Sequence, residues 1–200
     1  MKKYLTLFAT ILVSIVAFAQ QDTISYQEDV FQFDTLICEK GKITKIVDYN
    51  VTPKLSTIFN KFETCVRKVM RGNDTIYYYR IERPKIKKDG HIQKAVVVLI
   101  EYSELVEINK VIEKLFSEFE WDKVEKTDYL QNQYVNKDGI AIGYYIERRR
   151  HQWFLDLDVY NPLQEDLFQT RGYFSIDALI ANFKRAQAKI EELKSIVYVW

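Results

Sequence analysis

Two hundred residues, 48% hydrophobic and 14% aromatic, can bury one substantial core, which excludes an intrinsically disordered chain. A formal charge of +1 excludes both global steering of nucleic acid and an acidic solvating role. The balance stays close to neutral whether or not Lys2 and Lys3 belong to the final protein.

Residues 1–19 read as a secretory signal peptide. Lys2 and Lys3 form the positive region, Leu5 to Val16 the apolar region, and Ala17-Phe18-Ala19 places small residues at the cleavage site, with Gln20 as the new N-terminus. The apolar run is shorter than the roughly 20 residues that a membrane-spanning helix needs. No cysteine directly follows Ala19, so no lipid anchor is expected there, and no second run is long enough to span. A periplasmic or secreted location follows, with no transmembrane segment in the mature chain. Residues 20–30 are polar and without period, which reads as a flexible arm. Residues 31–200 show no linker, low-complexity tract or composition break and read as one domain.

Phe31–Glu39 and Ile43–Tyr49 read as a hairpin around Lys40-Gly41. A helix is predicted next, with Thr52 as N-cap, Pro53 at its first position, Gly72 just past its end, and Leu55, Ile58, Phe59, Phe62, Cys65, Val66 and Val69 inward. Thr75–Arg83 and Ile92–Tyr102 form a second hairpin around Lys88-Asp89-Gly90. Within it, the apolar run Ala95–Ile100 predicts a central strand covered on both faces. The chain then enters an amphipathic helix with Ser103 as N-cap and Leu105, Ile108, Val111, Ile112, Leu115, Phe116 and Phe119 as its stripe.

A third group of strands begins near Val124. Asn136-Lys137-Asp138-Gly139 has the chemistry of a type I turn closed by a glycine bulge, which pairs Tyr134 with Ile142 and Leu130 with Ile146. Ile140–Arg148 and Gln152–Tyr160 form the next hairpin. With the turn at Arg149-Arg150, Ile146 pairs with Trp153, Tyr144 with Leu155, Ile142 with Leu157 and Ile140 with Val159, all apolar. Pro162 and Gly172 bracket a polar loop. Ser175 caps a last helix with Ile176, Leu179, Ile180, Phe183, Ala186, Ile190 and Leu193 inward, and Ile196–Trp200 is strand-like. Strand-strand-helix thus recurs three times. The fold class is α+β: a mainly antiparallel sheet of successive hairpins with three helices packed against it.

Catalytic signatures are absent: there is no HExxH, CxxC, phosphate-binding glycine loop or GxSxG elbow. His91 and His151 fall at hairpin turns outside any metal-ligand spacing, so neither a metal nor a cofactor is expected. Cys38 and Cys65 either pair in an oxidising compartment or stay as buried thiols.

One constellation stands out. On the face opposite the apolar pairs, the same register sets Gly143 against Asp156, Ala141 against Asp158, and Tyr145 against Phe154. Two carboxylates then project into the space above small residues, with Tyr145, Phe154 and Tyr160 as walls. Such a face suits a carbohydrate, a cation or a basic peptide, or an acid and base pair. Basic clusters at Lys85–Lys88 and Arg148–Arg150 suit phosphate groups, although an exported protein has little occasion to meet nucleic acid. Asp22-Thr23-Ile24, Asp34-Thr35-Leu36 and Asp74-Thr75-Ile76 each resemble the short acceptor motif of an O-glycosylation system of exported Gram-negative proteins. The expected function is a non-catalytic envelope or secreted protein that binds a ligand or protein partner. The alternative is an exported hydrolase built on Asp156 and Asp158.

Overall fold

The computed structural model describes residues 41, 43–55, 62–86, 92–148, 150–157 and 171–196. Their elements, in order, are β1 (Thr44–Asn50), β2 (Glu63–Arg71), β3 (Asp74–Ile86), β4 (Ile92–Glu101), α1 (Tyr102–Asp122), β5 (Tyr129–Val135), β6 (Ala141–Glu147), β7 (Arg150–Asp156), β8 (Arg171–Phe174) and α2 (Ile176–Ser195). The α+β class and the antiparallel hairpins are as expected. The strands form two sheets rather than one, ordered β1-β2-β3-β4 and β5-β6-β7-β8. Among the described residues, four strands followed by one helix therefore occur twice, where two strands and a helix were expected three times. The signal peptide, the arm and the strand at Phe31–Glu39 lie outside the described residues.

The helix expected from Thr52 to Gly72 is a strand over Glu63–Arg71, while residues 56–61 of the expected helix lie outside the described residues. Antiparallel pairing with β3, from Glu63 opposite Glu82 to Arg71 opposite Asp74, takes up the β2 backbone groups that a helix would bond internally. Thr64, Val66 and Lys68 alternate onto one face opposite Ile81, Tyr79 and Tyr77. Gly72 has φ +56 and serves the two-residue turn into β3 rather than a helix end.

The Ala95–Ile100 run also differs from expectation. It pairs with β3, Val98 opposite Ile81 and Ile100 opposite Tyr79, but β4 is the last strand in its sheet's order, and Val96 to Leu99 are half-buried. Hydrophobicity on both faces is satisfied here by partial cover, not by a central position.

The chain passes from β4 straight into α1, so the helix begins before Ser103. Glu101 occupies the cap position with no side-chain bond, and Ser103 lies within the first turn. Leu105, Ile108, Ile112, Leu115 and Phe119 are buried, Val111 is half-buried, and Phe116 is exposed. At about 1.5 to 3 kcal/mol for each large side chain fully buried, this stripe is a main source of stability. The helix packs against β3 and β4 of one sheet, β5 and β6 of the other, and α2. One apolar cluster results, uniting Val66, Tyr79 and Ile81 with Ile142, Tyr144 and Leu155. In α2, Ser175 Oγ accepts from the Ala178 N–H at 3.2 Å, as its capping role requires, and Leu179, Phe183, Ala186, Ile190 and Leu193 are buried.

Asn182 is also fully buried in α2. It accepts from the Tyr79 hydroxyl and donates to Pro53 O at 2.6 Å and Thr64 Oγ1 at 3.3 Å. Asn109 links the two helices by donating to Gln187 Oε1 at 2.8 Å. Both amides have partners inside the core, which removes the desolvation penalty that an unpaired polar group would carry.

The β5–β6 hairpin has the expected turn and register. Asn136 N donates to Ile140 O at 3.0 Å, Gly139 has φ +82, and Tyr134 and Leu130 face Ile142 and Ile146. The β6–β7 hairpin is offset by two residues from expectation: Ile146 faces His151, Tyr144 faces Trp153 and Ile142 faces Leu155. The closing pair, Glu147 opposite Arg150, sets this register. Because side chains alternate with period two, the offset leaves every residue on its expected face. Arg171–Phe174, which spans the expected end of the polar loop at Gly172 and was not expected as a strand, forms β8 against β7.

Candidate functional site

Trp153 lies inward beside Tyr144, with ring centroids 4.8 Å apart, while Asp156 lies on the other face. That outer face divides into two parts of different character.

At one end, Ala141, Gly143, Phe154 and Asp156 are all buried. Asp156 faces Ala141 instead of Gly143, and Gly143 faces Phe154. The space expected above Gly143 is filled by the neighbouring strand: a Cβ there would stand 2.2 Å from Asn132 O. Arg171 Nε donates to Asp156 Oδ2 at 3.1 Å, and the Arg171 guanidinium lies 4.3 Å from the Phe154 ring centroid. Arg83 approaches as well, its Nη1 donating to Arg171 O at 2.6 Å. Burial pushes the Arg83 guanidinium below its ordinary pKa, and the Asp156 charge opposes that shift. Asp158 and Tyr160 lie outside the described residues. What the structure brings together here is a buried carboxylate bonded to Arg171, the Arg171 guanidinium over the Phe154 ring, and Arg83 close enough to feel the carboxylate's charge.

The other end of the face is open. Tyr129, Gln131 and Gln133 of β5, Tyr145 of β6, Gln152 of β7 and Tyr173 of β8 all project outward. Tyr129 and the three glutamines are exposed, and Tyr145 and Tyr173 are half-buried. Tyr145 lies between the other two tyrosines, stacked on Tyr129 at 6.4 Å and edge-on to Tyr173 at 6.2 Å. Its hydroxyl donates to Gln152 Oε1 at 3.1 Å, and Gln131 Nε2 donates to Gln133 Oε1 at 2.7 Å. Partial burial, reinforced by the Tyr173 hydroxyl, raises the Tyr145 pKa and keeps the group neutral at ordinary pH. The expected site residue Tyr145 therefore belongs to an aromatic and amide row, not to a carboxylate pair. Alternation along β5 could have revealed Tyr129, Gln131 and Gln133. Tyr173 carried no such signal, because it falls between the expected loop end at Gly172 and the Ser175 cap, where no strand was expected.

On the inner side, a cavity of about 310 Å³ is lined by Phe119, His151, Trp153, Phe174, Ser175 and Ile176, and it borders Gln152, whose side chain bonds Tyr145 on the other face. Phe119 stands edge-on to His151 at 5.2 Å and to Trp153 at 5.4 Å. His151, expected only as a solvated turn residue, is exposed but borders this space. No local pattern announces such a cavity, because it needs the start of α2 to be placed against β7.

Cys65 is a buried free thiol on β2, where burial raises its pKa, and Cys38 lies outside the described residues. Of the three acceptor-like triplets, only Asp74-Thr75-Ile76 is described; Asp74 and Thr75 are exposed at the start of β3. Among the described residues no group of three or more His, Cys, Asp or Glu could hold a metal ion, and no helix is long and apolar enough to cross a membrane. No family model, curated protein or solved structure matches this chain.

Proposed function

We propose that this chain is an exported, non-catalytic protein of the envelope or external medium, and that it binds carbohydrate on the open end of its second sheet. The observation that carries the binding reading is the row Tyr129, Tyr145 and Tyr173 with Gln131, Gln133 and Gln152 on one face. Tyrosine rings offer flat apolar surface to the C–H face of a sugar and a hydroxyl at the edge. A glutamine amide both donates and accepts, which matches sugar hydroxyls without requiring charge. The lysine-led apolar leader and the Ala17-Phe18-Ala19 site support export.

A glycan panel against the purified protein tests the binding, with Tyr145→Ala and Gln152→Ala as variants. Each should weaken the best glycan by about fivefold or more, near 1 kcal/mol. Equal binding by both variants would remove the row from the site. Intact mass of the protein from the envelope or medium tests export, and a chain starting at Gln20 is expected.

A further inference from the structure

The second sheet is ordered β5-β6-β7-β8, so β5 is an edge. Asn136 N donates to Ile140 O, and Arg148 N donates to Asp128 O, which marks Asn136 and Asp128 as residues bonded across the β5–β6 ladder. Antiparallel bonding alternates, so between them Leu130, Asn132 and Tyr134 bond β6, while Tyr129, Gln131, Gln133 and Val135 turn their N–H and C=O groups away from it. Among the described residues no strand lies beyond them.

Edges are ordinarily guarded by charge, proline, a bulge or shortness. β1 carries Lys45 and Asp48, β4 carries Lys94 and Glu101, and β8 has only four residues, one of them Arg171. β5 has seven residues, none charged and none proline, in unbroken register with β6. Exposed apolar surface gathers at its start: Trp121 is 76% exposed, Val124 72% and Tyr129 58%. Trp121 lies one turn beyond Glu118, whose carboxylate accepts from Asn132 Nδ2, so it stands on the β5 side of α1.

We propose that β5 pairs antiparallel with β5 of a second copy about a two-fold axis at Asn132, joining two four-stranded sheets into one. The strand is self-complementary in that register. Tyr129 faces the partner's Val135, Leu130 the partner's Tyr134 and Gln131 the partner's Gln133, so apolar meets apolar and amide meets amide. Beyond the strand, Lys126 comes opposite the partner's Asp138, a pair of opposite charges. Moving the axis to Gln131 sets Leu130 against the partner's Asn132, and moving it to Gln133 sets Tyr134 there instead. With the axis at Asn132, every outward backbone group of β5 gains a partner. The pairing uses up both edges, so it closes at two copies. It leaves the outer face open and sets the partner's Gln133 beside Gln131, at the end of the Tyr145 row.

Sedimentation velocity of the purified protein over a concentration series tests the proposal, with amide exchange as a second readout. We expect a species of twice the chain mass. Protection of the Gln131 and Gln133 amides should rise with concentration, while Asn132, bonded within the sheet, is protected throughout. Gln131 and Gln133 are exposed, so charge can be placed there without disturbing the core. Gln131→Lys with Gln133→Lys sets like charges opposite across the axis and should weaken association about tenfold or more. Gln131→Lys with Gln133→Glu sets opposite charges together in this register alone and should restore it. A parent that stays monomeric up to about 0.1 mM overturns the proposal. So does growth past two copies, which marks open stacking of edges. Association that ignores the paired lysines, or that the lysine and glutamate combination fails to restore, overturns it as well. Tyr145→Ala lies off the edge and should associate as the parent does, so the carbohydrate reading stands or falls separately.

Discussion

Arg171 Nε bonds Asp156 Oδ2 at 3.1 Å, and the two ends of this pair differ in access to water: the arginine side chain is 28% exposed and the aspartate 4%. The difference predicts unequal variants. In Arg171→Met the buried carboxylate loses its bonded cation and cannot reach water, so the loss should be about 3 kcal/mol. Asp156→Asn keeps an oxygen acceptor and leaves an arginine that can turn outward, for a loss of about 1 kcal/mol. Urea denaturation of both variants measures the order. Combining Arg171→Met with Asp156→Leu should recover part of the first loss, because the buried carboxylate is then removed together with its bonded cation.

Gly143 yields a prediction opposite to the one its neighbourhood suggests in the sequence. As a gap above a carboxylate it would accept Val and lose only ligand. In the structure an added Cβ would meet the Asn132 carbonyl at 2.2 Å and Gln133 Cα at 2.7 Å, both backbone atoms of the adjacent strand. Backbone cannot swing aside as a flexible side chain can. Gly143→Ala should therefore cost about 2 kcal/mol or more by forcing β5 and β6 apart, and Gly143→Val more still. Thermal denaturation and amide exchange across the β5–β6 ladder report this, and an Ala variant as stable as the parent would contradict the close approach.

The Tyr144 hydroxyl, partly buried, donates to Asp122 and accepts from Asn132 Nδ2 at 3.1 Å. Burial first, then the bond to Asp122, raises its pKa far above the ordinary tyrosine value. The sign follows from linkage. With the folded pKa raised, the stability that this group contributes is complete below the unfolded value of about 10 and is lost as pH climbs above it. Tyr144→Phe lacks that dependence while also losing the hydroxyl's bonds. The parent should be the more stable at pH 7, and the gap should narrow steadily above pH of about 10. Paired urea titrations at pH 7, 10 and 11 measure it, and a constant gap would refute the assignment.

What the sequence revealed and what it hid have distinct physical causes. Asn136 to Gly139 specify a turn by local chemistry, so the β5–β6 register could be read in advance. Ser175 and the α2 stripe are local signals in the same way. The β2 strand was hidden because Phe62, Cys65, Val66 and Val69 also satisfy a helical spacing, while Lys68 interrupts the alternation of the strand's inner face. Gly72 deepened the ambiguity, since a helix end and a tight hairpin both use a glycine with positive φ. At the candidate site, period-two alternation fixed the faces of Tyr145, Trp153 and Asp156, but the partners of Asp156 come from β8 and β3. Those contacts are set by tertiary placement, to which local patterns are blind.

The two-residue offset of the β6–β7 hairpin leads to the last prediction. Apolar pairing cannot distinguish registers two residues apart, because both keep Ile142, Tyr144 and Ile146 opposite inward-facing residues of β7. The turn decides between them. Arg148 adopts φ +47, the left-handed region that a non-glycine side chain disfavours. Its backbone N–H donates to Asp128 O at 3.3 Å, so the turn is held from β5's side without help from the arginine side chain, which is exposed. Asparagine tolerates this conformation better and preserves the N–H. Arg148→Asn should stabilise the protein by about 0.5 to 1 kcal/mol, and Arg148→Gly similarly, through the same two-residue turn. Arg148→Val should destabilise, since a β-branched side chain is worst suited to positive φ. A rise in denaturation midpoint for Asn and Gly with a fall for Val supports a turn that passes through Arg148 at positive φ and closes on Glu147 and Arg150. If Asn lowers the midpoint and Val leaves it unchanged, the turn lies one residue later, as the sequence reading expects, and Asp156 returns to Gly143 as its partner.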